Sequence, residues 1–311
     1  MKQFKKILVY ASTESGKFHA LRRAEKLAKK TGARLKVVDV VPDEPWFHPR
    51  FDPPPWVLPS AIAEKKKTVL QTQVAKARQA GLKVDIDILF GKPFVELIQE
   101  VLADGHDLVM KTVHQKGLLH MVDSTAMELL RSCPCPVELV RPSKARQRQR
   151  VLACLDPVPD DAVRDAVNTK VVQLASSLAD WEKAELHILH AWHAFAEAPL
   201  AGHTGLRRKE LDKYIAEQRY ACKQRLTDFL AGLGIDAKRA HVHMVKGDPA
   251  RVIPSLARKQ GMDLVVMGTI ARSGISGFLI GNTAEKVVNK LEASLLAVKP
   301  DGFICPVKLT D

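Results

Sequence analysis

The chain has 311 residues, 46% of them hydrophobic and 27% charged, and a formal net charge of +13. This length predicts two domains of ordinary size, and the composition excludes a disordered chain. No apolar run reaches the length of a membrane span, and a strand pattern follows the N-terminus directly. With five scattered cysteines, these features favour a reducing cytoplasm.

In chain order, short apolar runs alternate with amphipathic stretches. We predict strands at 5–11, 34–41, 83–90, 107–111 and 136–140, with helices at 17–30, 61–80, 94–103 and 124–131. The second half repeats the alternation, with strands near 151 and at 184–191, 238–245, 264–267 and 295–299. Such a pattern predicts an α/β fold of two tandem, open, doubly wound five-stranded parallel sheets of the Rossmann-like type.

The two halves also share sequence. Residues 91–112 parallel residues 247–268 at an offset of 156, and residues 7–12 parallel residues 151–156 at an offset of 144. A period near 150 indicates a domain duplication rather than a solenoid. We predict a first domain at 1–142, a basic linker at 143–149, and a second domain at 150–311 that includes the C-terminal tail.

A glycine-rich connection follows the fourth strand of the second half. The strand stops at Gly268, further glycines stand at 274, 277 and 281, and Asn282-Thr283 opens a periodic stretch. Glycine lets a backbone approach a phosphate closely, and a helix N-terminus offers free N–H groups and a positive dipole end. The pattern therefore predicts an anion pocket, with a flexible connection that binds no ligand as the alternative.

The segment resembles the nucleotide loop of universal stress proteins, which runs Gly, two residues, Gly, nine residues, Gly, then Ser or Thr. Gly268 and Gly281 match the first and last glycines, Ala271 replaces the second, and Asn282 precedes Thr283. The pieces HDLVMK, LLRSCPCPV and GISGFLIGNTAEKV extend the resemblance, over nearly the whole chain, to tandem universal stress proteins of the E type. The resemblance implies that family's fold and a bound ATP or other adenine nucleotide, with or without Mg²⁺.

Asp156 ends the first strand of the second half, where the resemblance implies a contact with the nucleoside. A turn or helix cap helped by Pro157 is the alternative. Trp192 ends the second strand and is predicted to wall the base, unless it is ordinary core. The candidate nucleotide-binding residues are Asp156, Pro157, Ala191, Trp192, Met267, Gly268, Ala271, Arg272, Gly281, Asn282 and Thr283.

The first half lacks this chemistry. Ser12, Thr112 and Asp123 stand where the second half has Asp156, Gly268 and Gly281. An acid at a helix N-terminus satisfies the free N–H groups itself and opposes phosphate. We therefore predict that the first domain has lost nucleotide binding.

Three further features suggest other ligands. The loop at 41–60 carries seven prolines beside aromatic residues, which fits an apolar or lipid-like ligand surface or a packed cover. The basic run at 141–150 fits nucleic acid or, as we favour, a solvated linker. A zinc site joining His187 or His193 to His241 and His243 is conceivable, but no Cys or carboxylate completes it by motif, and we assign no metal ligand.

The sequence contains no nucleophile elbow, nucleotidyl-transferase HxGH or Walker motif, and we assign no catalytic residue. The expected protein is a cytoplasmic stress-response regulator that binds an adenine nucleotide in its second domain. Because fifth strands commonly pair two units in this family, the resemblance implies a homodimer or an intrachain pseudo-dimer, with an unknown regulatory protein partner. The alternatives are an apolar-ligand binder or scaffold, and a slow ATP-hydrolysing or adenylating enzyme.

Overall fold

The computed structural model describes residues 4–42, 59–113, 122–142, 149–195, 197, 207–235, 240–269 and 280–309. The chain splits into two compact units, Met1–Lys144 with Phe303–Asp311, and Ala145–Gly302. The tail that the sequence analysis attached to the second domain therefore groups with the first unit. There Gln99 Nε2 donates to the Lys308 carbonyl at 3.2 Å, and Cys305 Sγ donates to the Ser132 carbonyl at 3.3 Å.

The first unit is a parallel sheet in the order β3-β2-β1-β4-β5. Its strands are β1 (Lys6–Tyr10), β2 (Arg34–Val41), β3 (Val84–Phe90), β4 (Leu108–Thr112) and β5 (Val137–Val140). Its helices are α1 (His19–Thr31), α2 (Pro59–Gln79), α3 (Pro93–Asp104) and α4 (Ser124–Ser132).

The second unit repeats that topology in the order β10-β9-β6-β7-β8, again with parallel pairs. Its strands are β6 (Arg150–Leu155), β7 (Glu185–Trp192), β8 (Ala240–Lys246), β9 (Leu264–Gly268) and β10 (Ser294–Val298). Its helices are α5 (Ala162–Glu182), α6 (Arg208–Gly232), α7 (Pro249–Lys259) and α8 (Asn282–Lys290).

The predicted fold class is confirmed, and its physical basis is visible in the strands. Every residue of β4, β5 and β10 is buried, as expected for strands covered by helices on both faces. Helix starts also follow local rules. Asp248 caps α7 by accepting from the Ala250 N–H at 3.0 Å, and Pro249 occupies the first turn.

The strand order fixes where a ligand can bind. In each unit the chain leaves the first strand toward one side of the sheet and later returns on its other side, so β1 lies between β2 and β4, and β6 between β7 and β9. Ligands of open α/β sheets bind at the carboxyl ends of the strands beside this switch in order. The candidate crevices are therefore at the ends of β1 and β4, and of β6 and β9.

In the first unit a buried ion pair lies at this carboxyl edge. Asp39 on β2 is 0% exposed and accepts from Thr13 N at 2.9 Å, Thr13 Oγ1 at 2.7 Å and Lys66 Nζ at 3.0 Å. Lys66 on α2 also contacts Glu14 at 3.2 Å. The network ties the turn after β1 to β2 and α2.

We predict that Asp39→Ala lowers the free energy of unfolding by about 3–5 kcal/mol, because it removes the buried partner of the Lys66 ammonium and leaves it only the exposed Glu14. Asp85→Ala is the matched control, since Asp85 pairs with Arg34 and both side chains are more than 60% exposed. The control should change stability by less than about 1 kcal/mol. Urea unfolding followed by circular dichroism measures both, and equal small effects would contradict the assigned role of Asp39.

Candidate functional site

The structure gathers most of the sequence candidates at the carboxyl edge of the second sheet. Asp156 and Pro157 follow β6, Ala191 and Trp192 end β7, Met267 and Gly268 end β9, and Gly281, Asn282 and Thr283 open α8. Ala271 and Arg272 lie outside the described residues. The loop at 41–60 also falls largely outside them, over residues 43–58.

The strand register explains this proximity. Parallel pairing aligns Val151 with Leu264 and Ala153 with Val266. Continued by two residues, the same register sets Leu155 beside Gly268. Asp156 and the glycine-rich connection therefore leave neighbouring strands at the same edge of the sheet.

Helix α8 begins without a side-chain cap within the described residues. Gly281 is its N-cap and supplies no side-chain cap, and its own N–H donates to the Thr269 carbonyl at 2.9 Å. That bond holds the N-terminus of the helix beside the end of β9. The first N–H groups of a helix have no intrahelical acceptor, and the dipole makes this end positive. The arrangement is suited to an anion.

The corresponding helix of the first unit, α4, is already capped. Asp123 Oδ1 accepts from the Ala126 N–H at 3.0 Å, and Asp123 Oδ2 accepts from Lys111 Nζ at 2.8 Å. A carboxylate of the chain itself thus satisfies the helix terminus and carries its own counterion. The predicted capping role of Asp123 is confirmed.

Gly268 is required by close packing. A Cβ built on it would lie 2.8 Å from Val167 Cγ1, and its φ does not fall in the left-handed region. Val167 belongs to α5, which has 21 residues where α1 has 13. In the first unit the matching Thr112 instead fills this space, and its Oγ1 accepts from the Ala20 N–H at 2.9 Å.

Two buried polar atoms near the crevice lack hydrogen-bond partners within the described ranges. They are Thr269 Oγ1, whose residue is 1% exposed, and Asn168 Nδ2, whose residue is 4% exposed. The amide oxygen of Asn168 is occupied, since it accepts from the Asp156 N–H at 3.1 Å. Buried polar groups are almost always paired, so these atoms point to a ligand or an ordered water. Neither residue was predicted from the sequence.

Asp156 forms an ion pair that the sequence analysis did not predict. Its Oδ2 accepts from Arg164 Nη1 at 2.6 Å, and Arg164 Nε also contacts Asp161 at 3.2 Å. Asp161, rather than Asp156, caps α5 by accepting from the Arg164 N–H at 2.9 Å. The helix-cap alternative for Asp156 is therefore wrong, and the exposed carboxylate retains lone pairs for further donors.

Trp192 packs as core. It is 5% exposed and clusters with Ala194, Cys222 and other side chains of the second unit. Its carbonyl accepts from the Gly247 N–H at 2.8 Å. The alternative of ordinary core therefore describes the packing of Trp192, and its neighbour Ala191 is half-buried.

The histidines of β7 and β8 cluster away from this crevice. His187 Nδ1 lies 2.9 Å from His243 Nε2, and the rings of His187 and His241 stack with centroids 4.6 Å apart. Burial lowers the pKa of His187, with positive charge on the neighbouring imidazoles acting in the same direction. Burial likewise lowers the pKa of His243. His193 is exposed and is not one of the grouped ligands found within the described ranges.

Comparison with known proteins identifies a matching family and similar chains. The model of the "Universal stress protein family" matches residues 3–141 and 148–299. Universal stress protein E of Escherichia coli strain K12 is 29% identical over 329 residues, covering 100% of this chain and 99% of that protein. The corresponding protein of Photorhabdus laumondii is 27% identical over 315 residues and covers 99% of each.

Solved structures share the whole fold. A functionally unknown protein of Pseudomonas aeruginosa PAO1 is 25% identical, with a TM-score of 0.74, covering 96% of this chain and 94% of its own. A universal stress protein of Archaeoglobus fulgidus is 17% identical, with a TM-score of 0.68, covering 96% and 99%. No helix within the described ranges is long and apolar enough to cross a membrane.

We predict that Gly268→Ala destabilises the chain by about 1–3 kcal/mol, because its Cβ overpacks against Val167. In a double-mutant cycle, Val167→Ala should remove most of that cost, giving a coupling energy of about 1 kcal/mol or more. Gly232→Ala is the control, since its Cβ would meet nothing within 4 Å. Additive effects in urea unfolding would show that the contact does not constrain position 268.

Proposed function

Because the chain belongs to the universal stress protein family, we propose that its second unit binds ATP or another adenine nucleotide and that the protein is a cytoplasmic stress-response regulator. The observation that carries the proposal is the uncapped N-terminus of α8, held at the carboxyl edge of the sheet by the bond from Gly281 to Thr269. The family-like spacing of Gly268 and Gly281 supports the same reading.

The phosphates bind at the start of α8. The N–H groups of Asn282, Thr283 and Ala284 are the orphan donors of the first turn, and the Thr283 hydroxyl adds a side-chain donor. Ala271 and Arg272 join the phosphate site by their position in the spacing. Mg²⁺ would arrive with the nucleotide and be held chiefly by phosphate oxygens and water.

The nucleoside lies toward β6. The Asp156 carboxylate accepts from ribose hydroxyls, and Arg164 offsets its repulsion of the phosphates. Between these ends, Thr269 Oγ1 and Asn168 Nδ2 are buried atoms that a nucleotide or its bound water would satisfy. Ala191 lies at the wall expected to face the base.

The first unit serves the protein in another way. Its α4 N-terminus is capped by Asp123, and Thr112 occupies the end of its fourth strand, so a phosphate there would compete with a carboxylate of the chain itself. As a mechanism, nucleotide bound along residues 268–281 changes a surface read by a protein partner, in a homodimer or within one chain.

We predict that Gly281→Asp, which imports the residue of the first unit, weakens ATP binding at least about 100-fold, because the new carboxylate caps α8 and repels phosphate. Isothermal titration calorimetry of the full chain measures the affinity. Gly281→Asn separates the two causes, since it caps without charge and should retain part of the affinity.

Gly232→Asp is the matched control, because it adds the same charge at an exposed position with no neighbour within 4 Å. It should leave ATP affinity unchanged. Undiminished binding by Gly281→Asp would contradict the phosphate site. ATP turnover to ADP or to AMP and pyrophosphate would favour the enzyme alternative, and an apolar molecule in organic extracts would favour the lipid-like ligand.

A further inference from the structure

One face of the β2–β3 pair in the first unit corresponds, position by position, to one face of the β7–β8 pair in the second unit. The ladder pairs Lys36 with Asp85 in the first unit and His187 with His241 in the second. Side chains two positions apart on a strand share a face. The two copies can therefore be compared position by position on this face.

In the first unit the face is a closed ionic cluster. Lys36 Nζ lies 2.5 Å from Glu100 and 3.4 Å from Asp104, and Arg34 Nη2 lies 3.3 Å from Asp85. His106 adds an imidazole beside Glu100 at 3.3 Å. Glu100, Asp104 and His106 have a spacing that would suit a metal ion, but the Lys36 ammonium already supplies the cation there.

In the second unit the same four strand positions hold one carboxylate and three imidazoles, Glu185, His187, His241 and His243. The two acids of α3 have no counterpart on α7. At the 156-residue offset (from 91 to 247), Leu256 and Gln260 stand where the first unit has acids. The ionic cluster has been replaced by groups that ligate transition metals.

The geometry of the four side chains fits this change in chemistry. His187 Nε2 lies 3.5 Å from Glu185 Oε2, and ligand atoms of Glu185, His187 and His241 all lie within 4.8 Å of one another. Two ligands bound at about 2.0–2.1 Å to one tetrahedral zinc ion stand roughly 3.3–3.5 Å apart. Small side-chain rotations would bring the three atoms to that spacing.

We propose that Glu185, His187 and His241 form a three-ligand site for a divalent transition-metal ion, zinc foremost, on the β7–β8 face of the second unit. His187 binds through Nε2, and its Nδ1–H donates to His243 Nε2, 2.9 Å away. That bond fixes the tautomer and the ring orientation, so His243 is a positioning residue.

Exposure leaves the site accessible. His187 is 5% exposed and anchors the cluster, whereas Glu185 and His241 are exposed. An ion can therefore enter from solvent and keep a water or another ligand in its fourth position. Imidazole and carboxylate together suit zinc better than the hard cations, which prefer all-oxygen sites.

One cation also faces the site. Arg150 Nε lies 2.9 Å from Glu185 Oε2, and Arg150 Nη1 donates to the Gln260 carbonyl at 2.9 Å. An ionised carboxylate has lone pairs for both a guanidinium and a metal ion. Arg150 orients Glu185 and, because both side chains are more than 40% exposed, solvent screens its repulsion of the ion.

The experiment is a titration of the chelator-treated full chain with Zn²⁺, followed by Co²⁺ as a spectroscopic probe. We expect one saturable ion per chain, with Co²⁺ bands of nitrogen and oxygen ligands and no thiolate charge-transfer band. The spectrum matters because Cys133 and Cys135 place their Sγ atoms 3.6 Å apart and offer a competing thiolate site.

Variants identify the ligands. His241→Ala and Glu185→Gln, at exposed positions, should lose about 10–100-fold or more in zinc affinity, and His243→Ala should lose about 10–100-fold through His187. His193→Ala is the control and should bind as the unmodified chain does. Circular dichroism melts establish that each variant is folded.

Three results would overturn the site: no saturable binding, a thiolate band, or unchanged affinity in both His241→Ala and Glu185→Gln. The titration contains no nucleotide and the variants lie outside the crevice of β6 and β9. A failed metal titration therefore does not bear on the proposed nucleotide site, and a failed nucleotide titration does not bear on the metal site.

Discussion

The helix that follows the fourth strand of each unit must find acceptors for its first N–H groups, and the two copies meet this requirement differently. In the first unit Asp123 accepts from the helix and is itself balanced by Lys111. In the second, Gly281 supplies backbone geometry and no side-chain cap. The same fold thus holds a helix N-terminus capped by an internal anion in one copy and a helix N-terminus without a side-chain cap in the other.

Side-chain volume at the end of the fourth strand also distinguishes the two copies. Thr112 fills the space between its strand and the first turn of α1, whereas Gly268 lets the longer α5 approach closely. That approach sets Asn168 beside the backbone of Asp156 and leaves its Nδ2 buried without a partner in the described chain, as is Thr269 Oγ1. The two copies therefore differ, at a few matching positions, in how the carboxyl end of the fourth strand is packed.

Periodicity and local capping rules were enough to predict the fold class and a helix cap. Alternating apolar strands and helices specify a doubly wound sheet, and an acid before an amphipathic run specifies a cap, as Asp123 confirms. Contacts that depend on how distant strands pair could not be predicted from periodicity and local rules. Glu185 lies near His241 because of the β7–β8 register. Since these strands are parallel, a tight turn does not set that register, as it does in a hairpin. The ion pair of Asp156 with Arg164 likewise depends on how α5 packs over the sheet.

We propose that the second unit binds adenine nucleotide and that the first does not. Photoaffinity labelling of the full chain with an azido-adenine nucleotide, followed by peptide mass spectrometry, distinguishes the two units. We expect labelled peptides from residues 145–302, protected by excess ATP. Protectable labelling confined to peptides of residues 1–144, or no protectable labelling at all, would contradict it.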